Sequence, residues 1–308
     1  MAKALFPVPI AFIVFNRPDV TLRTFSEIAK IKPAKLLVIG DGPRSNVPGE
    51  EKRVRDTRAI LDQVDWDCEV LTNFSEENLG CKKRVSSGLD WVFALVDEAI
   101  ILEDDCLPTP SFFLFCQEML EKYRNYPEVG MISGANFQRG ISRGDGDYYF
   151  SKYMHIWGWA TWRNRWRNFY DVDMKAWPTF RESKDFLLTT SNATNKRYWK
   201  RIFEKVYRGK INTWDYQWLF ANWLHKRISI IPNANLISNI GFGEAATHTK
   251  IESQLSNLPV QDLIFPLKHP NSIEVNVAAD QFTEKHDYSR TPLDLLRKAV
   301  KKSLGIFK

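Results

Sequence analysis

Cysteine is scarce, with four in 308 residues: Cys68, Cys81, Cys106 and Cys116. Their positions match neither the paired spacing of a zinc site nor a disulfide framework, so free thiols in a reducing compartment are expected. No apolar run reaches the roughly 18 residues needed to span a bilayer. The stretch from Leu5 to Phe15 is apolar, but it has no basic start and no small-residue cleavage site, and Pro7 and Pro9 interrupt it. It therefore reads as a strand rather than a targeting signal, and the chain as cytoplasmic. A glycine-rich phosphate loop is also missing, because Asn16-Arg17-Pro18 stands where one would follow the first strand. There is no linker rich in Gly, Ser or Pro, no internal repeat and no low-complexity tract, which favours one continuous domain.

The composition is that of a globular protein, 44% hydrophobic and 26% charged. A formal charge of +6 favours an anionic partner: a nucleotide, a phospholipid surface or nucleic acid. Nucleic acid ranks last, since no compact basic and aromatic motif is present.

Ala99-Ile100-Ile101-Leu102 is a β-rich apolar run that stops at Glu103-Asp104-Asp105. Three adjacent acids at the carboxyl end of a buried strand are costly without a counter-charge, and ligands of open α/β sheets gather at that edge. A hard divalent cation shared with phosphate oxygens is the simplest compensation; an acidic turn dissolved in water is the plainer reading. Extended geometry would send Glu103 and Asp105 to one side and Asp104 to the other.

Earlier in the chain, Ile10 to Phe15, Lys35 to Gly40 and Asp67 to Thr72 read as strands. Helical patterns follow Pro18, run from Gly49 to Val64, and carry Val85, Leu89, Val92, Phe93 and Val96 on one face. Ser111 is placed to cap another helix, through Phe112, Phe115, Met119 and Tyr123. Strands alternating with helices predict an α/β fold with a mostly parallel, Rossmann-like sheet flanked by helices. Residues 1–147 would serve a nucleotide and residues 148–250 a second substrate, with 251–308 as an extension. Tryptophan is dense in the second half, as Trp157, Trp159, Trp162, Trp166, Trp177, Trp199, Trp214, Trp218 and Trp223, and could build either a sugar-binding cleft or a core. Helices are expected at Lys184 to Leu188, Asn195 to Tyr207 and Trp214 to His225.

Several residues could do chemistry. Lys82, Lys83 and Arg84 open a helix where positive charge opposes the dipole, an arrangement that an anion such as a diphosphate would reverse; a solvated basic patch is the plainer reading. Arg17, with Asn16 before it, and Asp41 lie just past strand ends and either meet the same ligand or are ordinary loop residues. Asp215, between Trp214 and Tyr216, sits in a first helical turn, where a carboxylate either complements the dipole or, shielded by aromatics, acts as a general base. Asn239 to Thr249 has glycines able to hinge, then Thr247 and His248, and could close over a phosphate or metal.

Together these stretches resemble the GT-A nucleotide-diphospho-sugar glycosyltransferases, in particular the N-acetylglucosaminyltransferase I type and bacterial haemolytic-protein-like or sugar-nucleotide transferases. The matching blocks are Val14 to Arg17, Gly40 to Gly42, Leu102 to Phe113, Trp157 to Trp159, Thr213 to Trp218, and Gly241 to Gly243 followed by Thr247 and His248. The resemblance implies inverting, metal-dependent transfer from a UDP-sugar to a glycan or lipid-linked acceptor in surface-polysaccharide synthesis. It would make Asp105 the ligand of Mn²⁺ or Mg²⁺ and place Glu103 and Asp104 on the donor's sugar and ribose. Arg17 and Asp41 would bind uridine, Asp215 would be the base, and Thr247 with His248 would belong to a loop over the diphosphate. Arg84 stands where the animal enzyme carries a histidine.

Two other readings compete: a nucleotidyltransferase acting on sugar phosphates, and a non-catalytic, lectin-like sugar-binding module. Leu293 to Lys308 reads as a basic amphipathic helix that either rests on the inner face of an anionic membrane or packs on the domain.

Overall fold

The computed structural model describes residues 4–242, 255 and 257–288. The strands β1 (Ile10–Val14), β2 (Lys35–Gly40), β3 (Glu69–Phe74) and β4 (Glu98–Glu103) alternate with helices α1 (Pro18–Ile31), α2 (Glu50–Arg58) and α3 (Gly80–Leu95). β1 is buried at every position because helices cover both faces of the sheet, which is why its sequence shows no alternation. Next come β5 (Cys106–Pro108), α4 (Pro110–Tyr123), β6 (Val129–Ser133), β7 (Tyr148–Ser151) and β8 (Trp159–Trp162). Then follow α5 (Arg163–Phe169), α6 (Trp177–Phe180), α7 (Lys184–Leu188), α8 (Ala193–Tyr207), α9 (Asp215–Leu224), β9 (Ile228–Pro232), β10 (Ile237–Asn239) and α10 (Val277–Thr283).

Eight strands form one sheet in the order β3-β2-β1-β4-β8-β6-β9-β7, and β5 pairs with β10 apart from it. β1 is parallel to β2 and β4, and β2 to β3, whereas β8 runs antiparallel to both β4 and β6. β6 and β9 are parallel, and β7 closes the edge antiparallel to β9. The expected α/β architecture with a mostly parallel sheet is therefore present as a single domain. Pairing of Val14 with Gly40 and of Ile13 with Glu103 brings the carboxyl ends of β1, β2 and β4 into line.

Side chains alternate between two cores. Phe12, Val38 and Leu102 pack with Phe112 and Phe115 of α4, and Leu37, Ile39 and Ile101 pack with Leu89 of α3 and the aromatics of α5, α8 and α9. These two cores decide between the two tryptophan readings in favour of a core. Trp159, Trp162, Trp166, Trp177, Trp199, Trp214, Trp218 and Trp223 are all buried; of the nine, only Trp157 and Trp214 line the main cleft. The rest fill the layers between sheet and helices, Trp162 in the first core and the others in the second, where the Trp159 and Trp166 ring centroids lie 6.2 Å apart.

Local expectations shift in three places. The third strand begins at Glu69 rather than Asp67, and the helix expected through Val64 tightens into a 3-10 turn at Ala59–Gln63. Ser111 does not cap α4, which starts at Pro110 after Thr109; instead the Ser111 hydroxyl accepts from Leu263 N at 3.1 Å, holding a later loop. Among the described residues no helix is long and apolar enough to cross a membrane. The stretch Leu293 to Lys308 lies outside the described residues.

Candidate active site

A cleft of about 410 Å³ opens at the carboxyl edge of the parallel strands. Arg17, Asp41, Arg84, Glu103, Asp104, Asp105 and Asp215 all line it. β4 ends at Glu103, and Asp104 and Asp105 form a turn before β5. The alternation expected of an extended chain therefore does not apply, and all three acids reach the same space. Thr24 fixes the turn by donating to the Asp104 carbonyl at 2.8 Å.

Arg17, directly ahead of α1, supplies the nearest counter-charge. Its Nη2 donates to Asp104 Oδ1, and to Asp105 Oδ2 at 2.9 Å. Burial works to lower the pKa of this guanidinium, but the two carboxylates outweigh it and raise it. One guanidinium does not neutralise the group. Burial, opposed by Arg17 and reinforced by Asp105, pushes the Asp104 carboxyl up to about 6. Glu103 is held well above its ordinary range by burial, then by the charges of Asp105, Asp104 and Asp215. Asp104 Oδ2 is buried without a hydrogen-bond partner among the described residues.

The helix expected to present free N–H groups to a phosphate is already capped. Asp41 accepts from Leu79 N and Gly80 N at 2.8 and 2.9 Å, and Asn212 Oδ1 accepts from Lys82 N at 2.9 Å. Consecutive helical residues point about 100° apart, so the basic triplet does not act together. Lys82 pairs with Asp173, Lys83 is exposed and does not line the cleft, and Arg84 turns inward to donate to Asn73. Arg84 Nε is left without a partner among the described residues. Gly42 is required because a Cβ there would lie 2.5 Å from the Glu76 carbonyl oxygen.

The opposite wall comes from the second half of the chain. Asp215 opens α9, and the Thr213 hydroxyl donates to its Oδ1. The helix is held by Trp218 in the aromatic core, and Tyr170 bonds the Trp214 carbonyl at 3.1 Å. Trp157 and Phe242, 5.8 Å apart edge to face, form an aromatic rim. Gly241, expected as a hinge, is needed for another reason: a Cβ there would lie 2.0 Å from Asp105 Oδ2.

Asn16 is buried and does not line the cleft; it donates to Glu50 at 2.7 Å. Glu50 and Arg44 are the residues that sequence reasoning missed. Arg44 lines the cleft and stands three positions beyond Asp41, whereas Glu50 resembles any acid opening a helix. Thr247 and His248 lie outside the described residues.

The donor set fits a hard cation in charge, since among the described residues Asp104 and Asp105 share Arg17 as their ion-pair partner, Glu103 lies beside them in the cleft, and Asp104 keeps an orphan oxygen. Among the described residues no group of three ligating side chains surrounds one point. Asp105 and Asp104 are the carboxylates that would hold such an ion, and it would supply positive charge at this edge of the sheet.

No protein-family model and no curated protein matches the chain. Among solved structures it is similar to HddC from Yersinia pseudotuberculosis, at 7% identity and a TM-score of 0.32 over 53% of this chain and 81% of that one. The same protein complexed with GMP-PN gives 8% and 0.31 over 50% and 77%. A 4-diphosphocytidyl-2C-methyl-D-erythritol synthase from Anaerococcus prevotii gives 12% and 0.31 over 71% and 99%. Likeness at this level carries no argument.

Proposed function

We propose that the chain is a transferase for nucleotide-linked sugars, and more finely an inverting, metal-dependent glycosyltransferase using a nucleotide-diphospho-sugar, with UDP-sugar as the first choice. One observation carries the reading: Asp215 on one wall and the acids Glu103 to Asp105 on the other share a single cleft at the carboxyl edge of the sheet. A base and a charge-binding group on facing sides are what a single displacement needs, and no second nucleophilic carboxylate is required.

Asp105 and Asp104 hold Mn²⁺ or Mg²⁺ in this scheme, and the ion when bound offsets negative charge developing on the leaving diphosphate. Arg17 keeps the two carboxylates in place. Asp215 takes the proton from the acceptor hydroxyl, with Thr213 fixing its rotamer. Trp157 and Phe242 offer flat apolar faces to a sugar ring. Thr247, His248 and the carboxyl-terminal basic stretch keep their proposed roles over the diphosphate and at an anionic membrane.

The nucleotidyltransferase reading would use the same sheet edge, the same acids and the same cation. The two part at the product: glycosyl transfer releases a nucleoside diphosphate, and nucleotidyl transfer on a sugar phosphate releases pyrophosphate. A panel of UDP-, GDP- and CDP-sugars and nucleoside triphosphates, with Mn²⁺ and with each product assayed, tests the choice. Nucleoside diphosphate release lost in Asp105→Ala supports glycosyl transfer. Pyrophosphate release overturns it in favour of nucleotidyl transfer, and sugar binding indifferent to nucleotide and metal would leave a lectin.

A further inference from the structure

The loop leaving β2 holds a guanidinium whose surroundings select a ligand chemistry, and the inference rests on the nucleotide reading above. Glu50 opens α2 with no solvent exposure, a placement unfavourable for a carboxylate without partners. It is satisfied from two loops. Asn16 Nδ2, after β1, donates at 2.7 Å; Arg44, after β2, donates its backbone N at 2.6 Å, its Nε at 2.9 Å and its Nη2. Burial works to raise the Glu50 carboxyl, but the bonds from Arg44 and Asn16 win and hold it below its ordinary range. The buried carboxylate thus ties together the two loops that carry Arg17 and Asp41.

What this clamp fixes is the plane of Arg44. The Nε and Nη2 edge is spent on Glu50, and among the described residues nothing accepts from Nη1. The guanidinium carbon lies 5.6 Å from the Phe15 ring centre, the side chain is 40% exposed, and both residues line the cleft. Phosphate recognition uses the N–H fork of an arginine, whereas stacking uses its face. Here the fork is largely occupied and the face is backed by an aromatic ring, which suits a flat heterocycle better than a phosphate.

We propose that Arg44, clamped by Glu50 and backed by Phe15, is the platform on which the donor's nucleobase stacks, with Glu50 and Asn16 as positioning residues. Base stacking on such a platform is sequence-tolerant in chemistry and sizeable in effect.

Calorimetric titration of the whole chain with UDP and, separately, with inorganic pyrophosphate, both with Mg²⁺, tests this. Arg44→Ala and Arg44→Lys should each weaken UDP about tenfold and leave pyrophosphate unchanged, because lysine restores the charge but not the plane. Glu50→Gln, checked for native circular dichroism, should weaken UDP in the same direction and spare pyrophosphate. If pyrophosphate affinity falls with UDP, or lysine rescues, Arg44 is a phosphate ligand and the proposal is overturned. Unchanged UDP affinity in Arg44→Ala overturns it as well. If the unmodified chain binds none of UDP, GDP or CDP, the nucleotide reading itself fails, a result recognisable before any variant is made.

Discussion

Two groups of buried acids can be set side by side. Glu284, directly after α10, accepts from Tyr153 OH at 2.9 Å, Asn195 Nδ2 at 2.8 Å, Ser191 N at 3.1 Å and the Ser191 hydroxyl. Its neighbour Asp280 accepts from the Ser151 hydroxyl and from Lys152 N at 3.3 Å. These bonds fasten residues 276–288 to β7 and α8. In the cleft, Asp104 and Asp105 share one arginine, Asp104 Oδ2 has no partner among the described residues, and Glu103 is surrounded by like charge. Both groups lie wholly or partly out of water, and among the described residues only the first has hydrogen-bond partners for each of its acids' buried oxygens. A carboxylate the fold completes is structural, and one it leaves short is a place for a ligand.

The contrast can be broken at its strongest point by Asp215→Asn. Turnover should fall about 10²- to 10⁴-fold with UDP affinity unchanged; near-normal turnover places the base elsewhere. Glu284→Ala is the structural counterpart. It strands the donors of Ser191, Asn195 and Tyr153 and should cost about 3 kcal/mol in urea unfolding while leaving UDP affinity within about twofold. Loss of UDP binding in the folded variant would join the two groups into one.

A smaller effect concerns pH. Burial, against the Ser151 bond, pushes the Asp280 carboxyl up to about 6, above its ordinary 3.8. A group raised on folding contributes stability below the unfolded value and loses it as pH rises through the folded one. Between about pH 4 and 6 the chain should lose about 2 kcal/mol from this group, and Asp280→Asn should flatten that slope in urea titrations. The least effect is expected from Asp104→Asn. Above pH 6 and without divalent ions it should leave stability unchanged or raise it by about 1 kcal/mol, because it removes an under-compensated buried charge. The added stabilisation from Mn²⁺ with UDP should vanish in the same variant, read as a thermal shift. A clear loss of stability in metal-free buffer would instead class Asp104 with the structural acids.

Some of this was legible in the chain and some was not. Strand ends mark the sheet edge, so Arg17, Asp41 and the acids after Leu102 could be placed together from local pattern alone. Asp215 was marked by its helix start and aromatic flanks. Glu50 carried no such mark: its burial arises when the loop after β2 folds across Asn16, a contact 34 residues long-range. Lys83 misled for a local reason, since adjacency in sequence is divergence on a helix. Tryptophan density was ambiguous because a ring that fills a core and a ring that walls a sugar site have the same composition, and only the packing of α5, α8 and α9 decides between them.

The seating of α9 has one more consequence. Trp218 and Trp223 wedge that helix into the buried aromatic core, so the carboxylate at its head is mounted on bedrock rather than on a swinging arm. If Asp215 is the base proposed above, a proton acceptor seated in this way imposes its geometry on whatever approaches. Which hydroxyl of an incoming sugar reacts would then be settled by the mouth of the cleft, where Trp157 and Phe242 decide how a ring may enter.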